Sequence, residues 1–88
     1  MFPLYPNPFN PLISFQYQTN LKSNIFIKIY NYNGILVDSF VKEDQPVGNH
    51  HFKWIAKDSS GKTLSSGLYF ITISDEIKTD VKKALLIH

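Results

Sequence analysis

Cysteine and arginine are both absent from this chain of 88 residues. Without cysteine there can be no disulfide and no thiol chemistry, so side-chain packing must hold the domain together. Without arginine the chain lacks the side chain that binds phosphate groups and guanine edges with paired hydrogen bonds. Its nine lysines and seven acidic residues leave a formal net charge of only +2. The sequence therefore predicts a domain that does not bind nucleic acid.

Segments that could enter a membrane are also missing. No apolar run approaches the roughly 20 residues that a membrane-spanning helix needs. The first residues lack the basic and apolar regions of a signal peptide. We therefore expect no membrane insertion and, if the protein is exported, a signal peptide upstream of Met1. Apolar residues at helical spacing over three turns are absent as well, which argues against a helical fold.

The residues that are present favour β-strands. Hydrophobic residues make up 43% of the chain and aromatic residues 15%, and phenylalanine, tyrosine and isoleucine dominate them. These side chains fit a pleated, half-buried surface better than a helix. The length matches a single domain, which we assign to residues 1–88. A chain of this size buries only about 60–65% of its unfolded surface, so the core must be dense.

The chain divides into a proline-rich start and a series of alternating segments. Residues 1–11 contain four of the five prolines, which predicts a rigid, non-helical lead-in. Alternating apolar and polar residues then predict half-buried strands separated by turns. The seven predicted strands cover residues 12–18, 25–30, 35–42, 50–57, 62–64, 68–74 and 79–87. This pattern predicts an all-β, immunoglobulin-like antiparallel β-sandwich of about seven short strands. Irregular alternation in the third segment indicates a bulge or burial on both faces.

Four residues are candidates for structural roles. Asn33-Gly34 lies between two apolar runs and predicts a tight hairpin in which both residues adopt positive φ. Gly48 and Gly61 lie in further predicted turns. Trp54 lies among apolar neighbours in the middle of a predicted strand, which favours a place in the core.

Catalytic and metal-binding patterns are weak. His50 and His51 are adjacent, so on a strand they point to opposite faces and cannot share a metal ion. The turn at residues 58–61, DSSG, has the oxygens for a weak Ca²⁺ site but few acidic groups. The acidic residues fall mostly in or beside predicted turns, and a sandwich this small offers no deep cleft for a catalytic pair. The serines form no nucleophile elbow. We therefore expect no enzymatic activity, no bound metal and no cofactor.

Exposed aromatic rings leave one further possibility. A carbohydrate-binding surface could be formed by the rings of Trp54, Tyr30, Tyr32, Tyr69 and Phe70. Such a platform requires two or three coplanar exposed rings, so a core position for Trp54 counts against it.

Short motifs occur along the chain in a definite order. YPNPFNP occupies residues 5–11, IYNYNG residues 29–34, GNH residues 48–50, DSSG residues 58–61, SGLYF residues 66–70 and KKALLI residues 82–87. In this order and spacing the chain resembles the C-terminal sorting domains of the type IX (Por) secretion system of Bacteroidota. It is also similar to the immunoglobulin-like domain of the flagellar hook-capping protein. The resemblance covers residues 5–87, and YPNPFNP is its most specific part.

The resemblance implies a role as an address label on a larger exported protein. Such domains are recognised by the outer-membrane translocon and are commonly removed by a sortase-like protease, so the protein would pass through the periplasm to the cell surface or the extracellular space. The upstream cargo domain of the same chain would be its other partner. The positions that match the family's motifs are Pro6, Asn7, Pro8, Gly67, Tyr69 and Lys83. One departure is Ala84, where the family has a longer aliphatic residue, so we expect looser packing of the last strand.

The same motif residues could also serve only to stabilise the sandwich. From the residues themselves we expect Gly67 to adopt positive φ or to allow a close backbone approach. We expect Tyr69 to bury its ring and to hydrogen-bond its hydroxyl group. The alternative function is a structural or adhesive module that packs on a neighbouring domain, which requires a large apolar patch on the surface.

Overall fold

The computed structural model describes residues 4, 6 and 8–87. All of its regular elements are β-strands, which confirms the predicted all-β class. The strands are Leu12–Thr19 (β1), Ser23–Tyr30 (β2), Leu36–Gln45 (β3), Gly48–Ile55 (β4), Gly67–Ser74 (β5) and Thr79–Leu86 (β6). The described part of the chain contains no helix long and apolar enough to cross a bilayer.

The six strands form two antiparallel sheets that pack as an immunoglobulin-like sandwich. One sheet pairs β1 with β4, and the other has the order β3-β2-β5-β6. The short strand predicted at residues 62–64 is absent, and an isolated bridge between Lys57 and Thr63 takes its place. The difference arises because this segment closes a turn: Asp58 N donates to Lys62 O, and Leu64 N donates to Ala56 O. Too few residues remain for a ladder.

The core lies between the inward faces of the two sheets, as the alternation predicts. Ile27, Ile29 and Ile71 are buried from the four-stranded sheet, and Ile13 and Trp54 from the two-stranded sheet. Each belongs to a strand whose buried and less buried positions alternate with period two. Among the described residues, every buried side-chain nitrogen or oxygen has a hydrogen-bond partner. The interior is therefore apolar and its few polar atoms are satisfied.

The proline-rich start, predicted as a rigid, non-helical lead-in, also contributes to the core. Phe9 is only 1% exposed, and its ring lies 6.0 Å from the indole of Trp54. Its backbone pairs in parallel with Leu86 of β6: Phe9 N donates to Leu85 O, and Ile87 N donates to Phe9 O, both at 2.9 Å. Two residues later, Pro11 O accepts a hydrogen bond from Ala56 N beyond the end of β4. This short segment therefore joins the two sheets.

A bulge explains the irregular pattern of β3. Ile29 pairs with Asp38 and Tyr30 pairs with Leu36, so Val37 is an extra residue on β3. The extra residue shifts the alternation, and both Val37 and Phe40 pack against the core although they are three positions apart. Of the two explanations that the sequence allowed, the structure contains the bulge.

Two loops share one turn geometry. In the first, Gly34 N donates to Asn31 O, and the side-chain oxygen of Asn31 accepts the N–H groups of Asn33 and Ile35. In the second, Gly61 N donates to Asp58 O, and the side-chain oxygen of Asp58 accepts the corresponding two N–H groups. Both turns need one residue with positive φ, and glycine supplies it at +79° and +87°.

The predicted hairpin joins β2 and β3, but its turn differs from the expected one. Among the non-glycine residues described, only Asp44 has positive φ, so Asn33 does not share the conformation of Gly34. Asn31 N donates to Ile35 O, and the three residues between them form the loop, with one left-handed glycine. Gly48 also has positive φ, +135°, at the start of β4.

The two ends of the sandwich carry different parts of the chain. At one end, Leu12 pairs with Ile55 and Gly67 pairs with Leu86, close to the start and finish of the described chain. We call it the terminal end. At the opposite end lie the connections β1–β2, β3–β4 and β5–β6. We call this region, residues 19–23, 43–48 and 75–80, the loop end.

Candidate recognition surface

Toward the terminal end, the outward face of the four-stranded sheet carries apolar residues where a solvated face would be polar. Tyr30 is paired with Leu36 on one side and with Phe70 on the other, and Phe70 is paired with Lys83. Two residues before Phe70 on β5, Leu68 pairs with Leu85 of β6. We define the outer patch as these five apolar residues, listed together as Tyr30, Leu36, Leu68, Phe70 and Leu85. Each is half-buried or exposed, so the outer patch is open to solvent.

The outward face of the two-stranded sheet is different. Most of its cross-strand pairs are polar, since Gln16 pairs with His51, Gln18 with Asn49 and Ser14 with Lys53. Its one apolar pair, Leu12 with Ile55, lies at the terminal end. Water solvates such a face without cost. The two faces of the sandwich are therefore unequal, and the outer patch is the face suited to a contact with another protein surface.

Lys83 lies at the border of the outer patch. It belongs to β6, the edge strand of the four-stranded sheet, and is exposed beside Phe70. Lys82 is on the opposite face, paired with Ile71, and is also exposed. The alternation of the last strand thus presents cations on both sides of one sheet edge. Lysine on an edge strand discourages uncontrolled pairing with other strands.

Gly67 and Tyr69 begin the strand next to this edge, and both meet the expectations drawn from the residues. Gly67 has φ of +151°, and no atom other than its chain neighbours would lie within 4 Å of an added Cβ, so its backbone conformation is what favours glycine. The ring of Tyr69 is buried, and its hydroxyl donates to Ser65 O at 2.6 Å. Burial raises the pKa of Tyr69. This bond back to a residue four positions earlier matches the tyrosine corner of immunoglobulin-like sandwiches.

The proline motif lies beside the end of β6. Pro6 and Pro8 are exposed, and the next residue, Phe9, is hydrogen-bonded to the end of β6. Asn7 lies outside the described residues. Pro8, Gly67 and Lys83 are therefore on or next to the pair β5–β6, although they are separated by up to 75 positions in the sequence. Ala84 of the last strand is fully buried opposite Tyr69.

Sequence reasoning overlooked Phe9 and the outer patch as a unit. Phe9 stands among prolines, where no alternation marks a strand. Leu68 and Phe70 did carry a signal, since β5 is apolar on both faces, but only the tertiary arrangement shows which face is covered. The pairing of Phe70 with Tyr30 across 40 positions also requires the fold.

The aromatic set considered for carbohydrate binding is divided by the fold. Trp54 and Tyr69 are both buried, with ring centroids 6.2 Å apart, so neither can stack on a sugar. The indole N–H of Trp54 donates to Asp38 Oδ2 at 3.2 Å, which satisfies its one polar atom inside the core. Tyr30 and Phe70 belong to the outer patch, and Tyr32 is 74% exposed in the neighbouring turn. The core position predicted for Trp54 is confirmed.

The histidines are on opposite faces of β4, as their adjacency requires. His50 stacks on Tyr17, with ring centroids 5.2 Å apart, and its Nε2 lies 2.7 Å from Pro46 O. His51 is exposed on the polar face. Within the residues that the structure describes, no three histidine or acidic side chains are placed to hold a metal ion together.

The carboxylate of Asp58 caps its own turn. Its Oδ1 accepts hydrogen bonds from Ser60 Oγ, Ser60 N and Lys62 N, at 2.6, 3.0 and 2.9 Å. The hydroxyl of Ser60 and the amide of Lys62 hold the pKa of Asp58 below its usual value. Asp75 has a lowered pKa for a related reason, because the amides of Lys78 and Ile77 bind its carboxylate. These acidic groups stabilise turns, which accounts for their positions in the sequence.

Comparison with known proteins places this geometry in a family. Residues 12–78 match the model of the FlgD Ig-like domain. No curated protein matches the chain. Among solved structures, latent PorU from Porphyromonas gingivalis is similar with a TM-score of 0.72 at 20% identity, over 96% of this chain and 9% of that one. PorZ from the same organism is similar with a TM-score of 0.67 at 23% identity, over 97% of this chain and 11% of that one.

A flagellar protein shares the fold as well. FlgD from P. aeruginosa is similar with a TM-score of 0.62 at 24% identity, over 86% of this chain and 65% of that one. At these identities the likeness to the three structures concerns the fold. The chain spans about a tenth of the length of the PorU and PorZ chains. Because the family model covers most of its sequence, the chain belongs to the FlgD Ig-like domain family.

Proposed function

We propose that this chain is a non-catalytic C-terminal sorting module that directs a larger exported bacterial protein through the type IX secretion system to the cell surface. The observation that carries the proposal is the meeting of three distant motif segments at the β5–β6 edge of the sandwich. The likeness to part of PorZ supports it, since PorZ is described as an essential surface component of that system.

In this role the domain works by presenting a surface. The outer-membrane translocon would contact the β5–β6 edge, with Lys83 as the charged group and the outer patch beside it. The cargo would precede the domain in the chain, and a sortase-like protease would act on the chain after transport. The protein would occupy the periplasm in transit and then the cell surface or the extracellular space. None of these steps needs a cofactor or a catalytic group in this domain.

A secretion experiment tests the proposal. Residues 1–88 are fused behind a periplasmically exported reporter in a host that has a type IX system. We expect the reporter at the cell surface or in the medium, and we expect Lys83→Ala to retain much of it in the periplasm. Lys53→Ala is the matched control, because Lys53 is exposed on the polar face of the other sheet. Fractionation and protease accessibility of the reporter give the readout.

Two results would count against the sorting role. The first is a reporter that stays in the periplasm while the attached domain is folded, as judged by its circular dichroism after purification. The second is equal secretion of the Lys83 and Lys53 variants, which would show that Lys83 is not recognised by the translocon.

A second candidate function is supported by the outer patch and by the family itself. A structural module that packs on a neighbouring domain requires an apolar surface, and the outer patch supplies one near the terminal end. Hydrogen exchange distinguishes this function: the amides around Tyr30 and Phe70 should exchange more slowly in the parent protein than in residues 1–88 alone. Equal exchange rates would rule out packing of the outer patch on the parent protein.

A further inference from the structure

The loop end lies opposite the terminal end, where Leu12 pairs with Ile55 and Gly67 pairs with Leu86. The two ends are separated by about the length of an eight-residue strand. Large side chains of the three connections at the loop end are exposed, so a partner can contact them.

Each of the three connections exposes one large aliphatic side chain. Leu21 between β1 and β2 is 64% exposed, Val47 between β3 and β4 is 65% exposed, and Ile77 between β5 and β6 is 81% exposed. Exposure of these apolar side chains to water is unfavourable, although a single exposed aliphatic residue is normal on a protein surface. Here three lie at one end of the sandwich, and Leu21 and Ile77 border the same depression. Exposed apolar groups gathered in this way mark a contact with another protein.

Specific hydrogen bonds hold the loops in place. The hydroxyl of Thr19, which is buried, donates to Pro46 O at 2.6 Å and so joins the first connection to the second. The carboxylate of Asp75 accepts the amides of Ile77 and Lys78 at 2.7 and 2.8 Å and fixes the third. The first and third connections also border two shallow depressions of about 210 and 230 Å³. Loops that are already ordered lose less entropy when a partner binds.

The charge of the loop end differs in sign from that of the whole chain. It contains five of the seven acidic residues, namely Glu43, Asp44, Asp75, Glu76 and Asp80, together with two lysines, Lys22 and Lys78. Its local net charge is −3, whereas the chain as a whole carries +2. A surface that combines negative charge with exposed aliphatic groups complements an apolar cleft with a basic rim.

We propose that the loop end is a second docking surface, which binds a partner protein through an apolar cleft bordered by lysine or arginine side chains. The aliphatic side chains of Leu21, Val47 and Ile77 enter the cleft, and the surrounding carboxylates face its basic rim. This surface includes none of the described motif positions assigned to recognition, namely Pro6, Pro8, Gly67, Tyr69 and Lys83. It therefore stands independently of the sorting role.

A titration with two synthetic peptides tests this chemistry. The probes are an amphipathic helical peptide of leucine and lysine and the same peptide with glutamate in place of lysine, each added to the folded chain and followed by nuclear magnetic resonance. We expect the lysine peptide to shift amide signals of the loop end and to bind at least about tenfold more tightly than the glutamate peptide. Raising the salt concentration should reduce this preference.

Matched variants separate the two components of binding. Ile77→Ser should weaken binding of the lysine peptide about tenfold, whereas Ile55→Ser, equally apolar and exposed on the polar face, should change it less than about twofold. Glu76→Gln and Gln16→Lys raise the net charge by the same amount, and only the first should weaken binding clearly. Each variant is first checked to keep the wild-type amide dispersion.

Three outcomes would overturn the proposal. They are absence of binding by the lysine peptide, equal binding of both peptides, and shifts concentrated on the outer patch. Secretion of the reporter fusion is measured separately, so failure here leaves the test of the sorting role intact.

Discussion

At the residue scale, one polar pair controls how the largest ring fits into the core. Trp54 is buried, and its indole N–H reaches Asp38 on the edge strand β3, where the bulge at Val37 resets the alternation. Asp38 is therefore a partner of a core residue, unlike most of the acidic residues, which lie in or beside turns. An unpartnered buried donor is costly, so the position of this carboxylate matters to stability.

Replacing Asp38 tests that contact. We expect Asp38→Ala to lower the free energy of unfolding by about 1–3 kcal/mol, because the indole N–H then has no acceptor in the core. Asp38→Asn keeps a side-chain oxygen, so its free energy of unfolding should fall clearly less. Urea denaturation followed by the fluorescence of Trp54, the chain's one tryptophan, gives both values. Equal stability of the alanine and asparagine variants would contradict this role for the carboxylate.

At the scale of single elements, the two related turns differ in one respect, since one is capped by Asn31 and the other by Asp58. The folded-state pKa of Asp58 is below its ordinary value of 3.8. Its charged form is therefore favoured by folding, and this stabilisation is present above the ordinary pKa and is lost as the pH falls through the lowered pKa. The turn capped by Asn31 has no such dependence.

Exchanging the two capping residues should exchange the pH dependence. Asp58→Asn keeps the oxygen that accepts the backbone amides, so we expect the variant to fold and its stability to fall less between about pH 5 and pH 2. Asn31→Asp should have the opposite effect and make the fall steeper. The free energy of unfolding measured across this range decides the matter. Some dependence will remain in Asp58→Asn, because Asp75 also has a lowered pKa.

The segment around Phe9 is a second element whose role depends on its place in the fold. We expect Phe9→Ala to cost about 3–5 kcal/mol, as for other buried rings, and Phe9→Leu to cost clearly less. Pro8→Ala changes an exposed neighbour and is the control. Urea unfolding monitors all three variants. If Phe9→Ala were as stable as Pro8→Ala, the segment would not belong to the core.

At the scale of the whole molecule, the sandwich must keep its sheet edges from pairing with other molecules. Each edge strand of the four-stranded sheet has a lysine on its core-facing side, opposite a buried isoleucine of the neighbouring strand. Lys42 on β3 is paired with Ile25, and Lys82 on β6 is paired with Ile71. The ammonium group of Lys42 lies 5.5 Å from the ring centre of Phe52, so its stem covers the border of the core. Such charges would be buried if another strand were added.

Removing one edge charge should therefore promote self-association. We expect Lys82→Ile to form dimers or larger species as the concentration rises, because an added strand no longer buries a charge. Lys28→Ile removes an equal charge from the central strand β2, which already has a neighbour on each side, and is the control. Sedimentation velocity over a range of concentrations measures the effect. Equal behaviour of the two variants would show that edge charge does not limit association.

The local pattern of the sequence contained much of the fold. The sequence pattern located all six strands, and period-two alternation identified the buried faces of β1, β2, β4 and β5. Burial of alternate residues depends only on strand geometry. The sequence also identified Trp54 as a core residue and the hydrogen-bonded, buried Tyr69. The predicted strand at residues 62–64 was wrong because Lys62 and Leu64 form the backbone hydrogen bonds that close the Asp58 turn.

The remaining features depend on contacts between distant residues. No local pattern marks Phe9, whose partners are Trp54 and the end of β6. Likewise, the pairing of Tyr30 with Phe70 forms the outer patch only because β2 and β5 are neighbours in the sheet. Local sequence thus determined which residues are extended and which faces are apolar, because these follow from backbone geometry and hydrophobicity. Tertiary structure alone decided which apolar faces are covered and which charges and aliphatic groups meet at each end, because strand order brings those residues together.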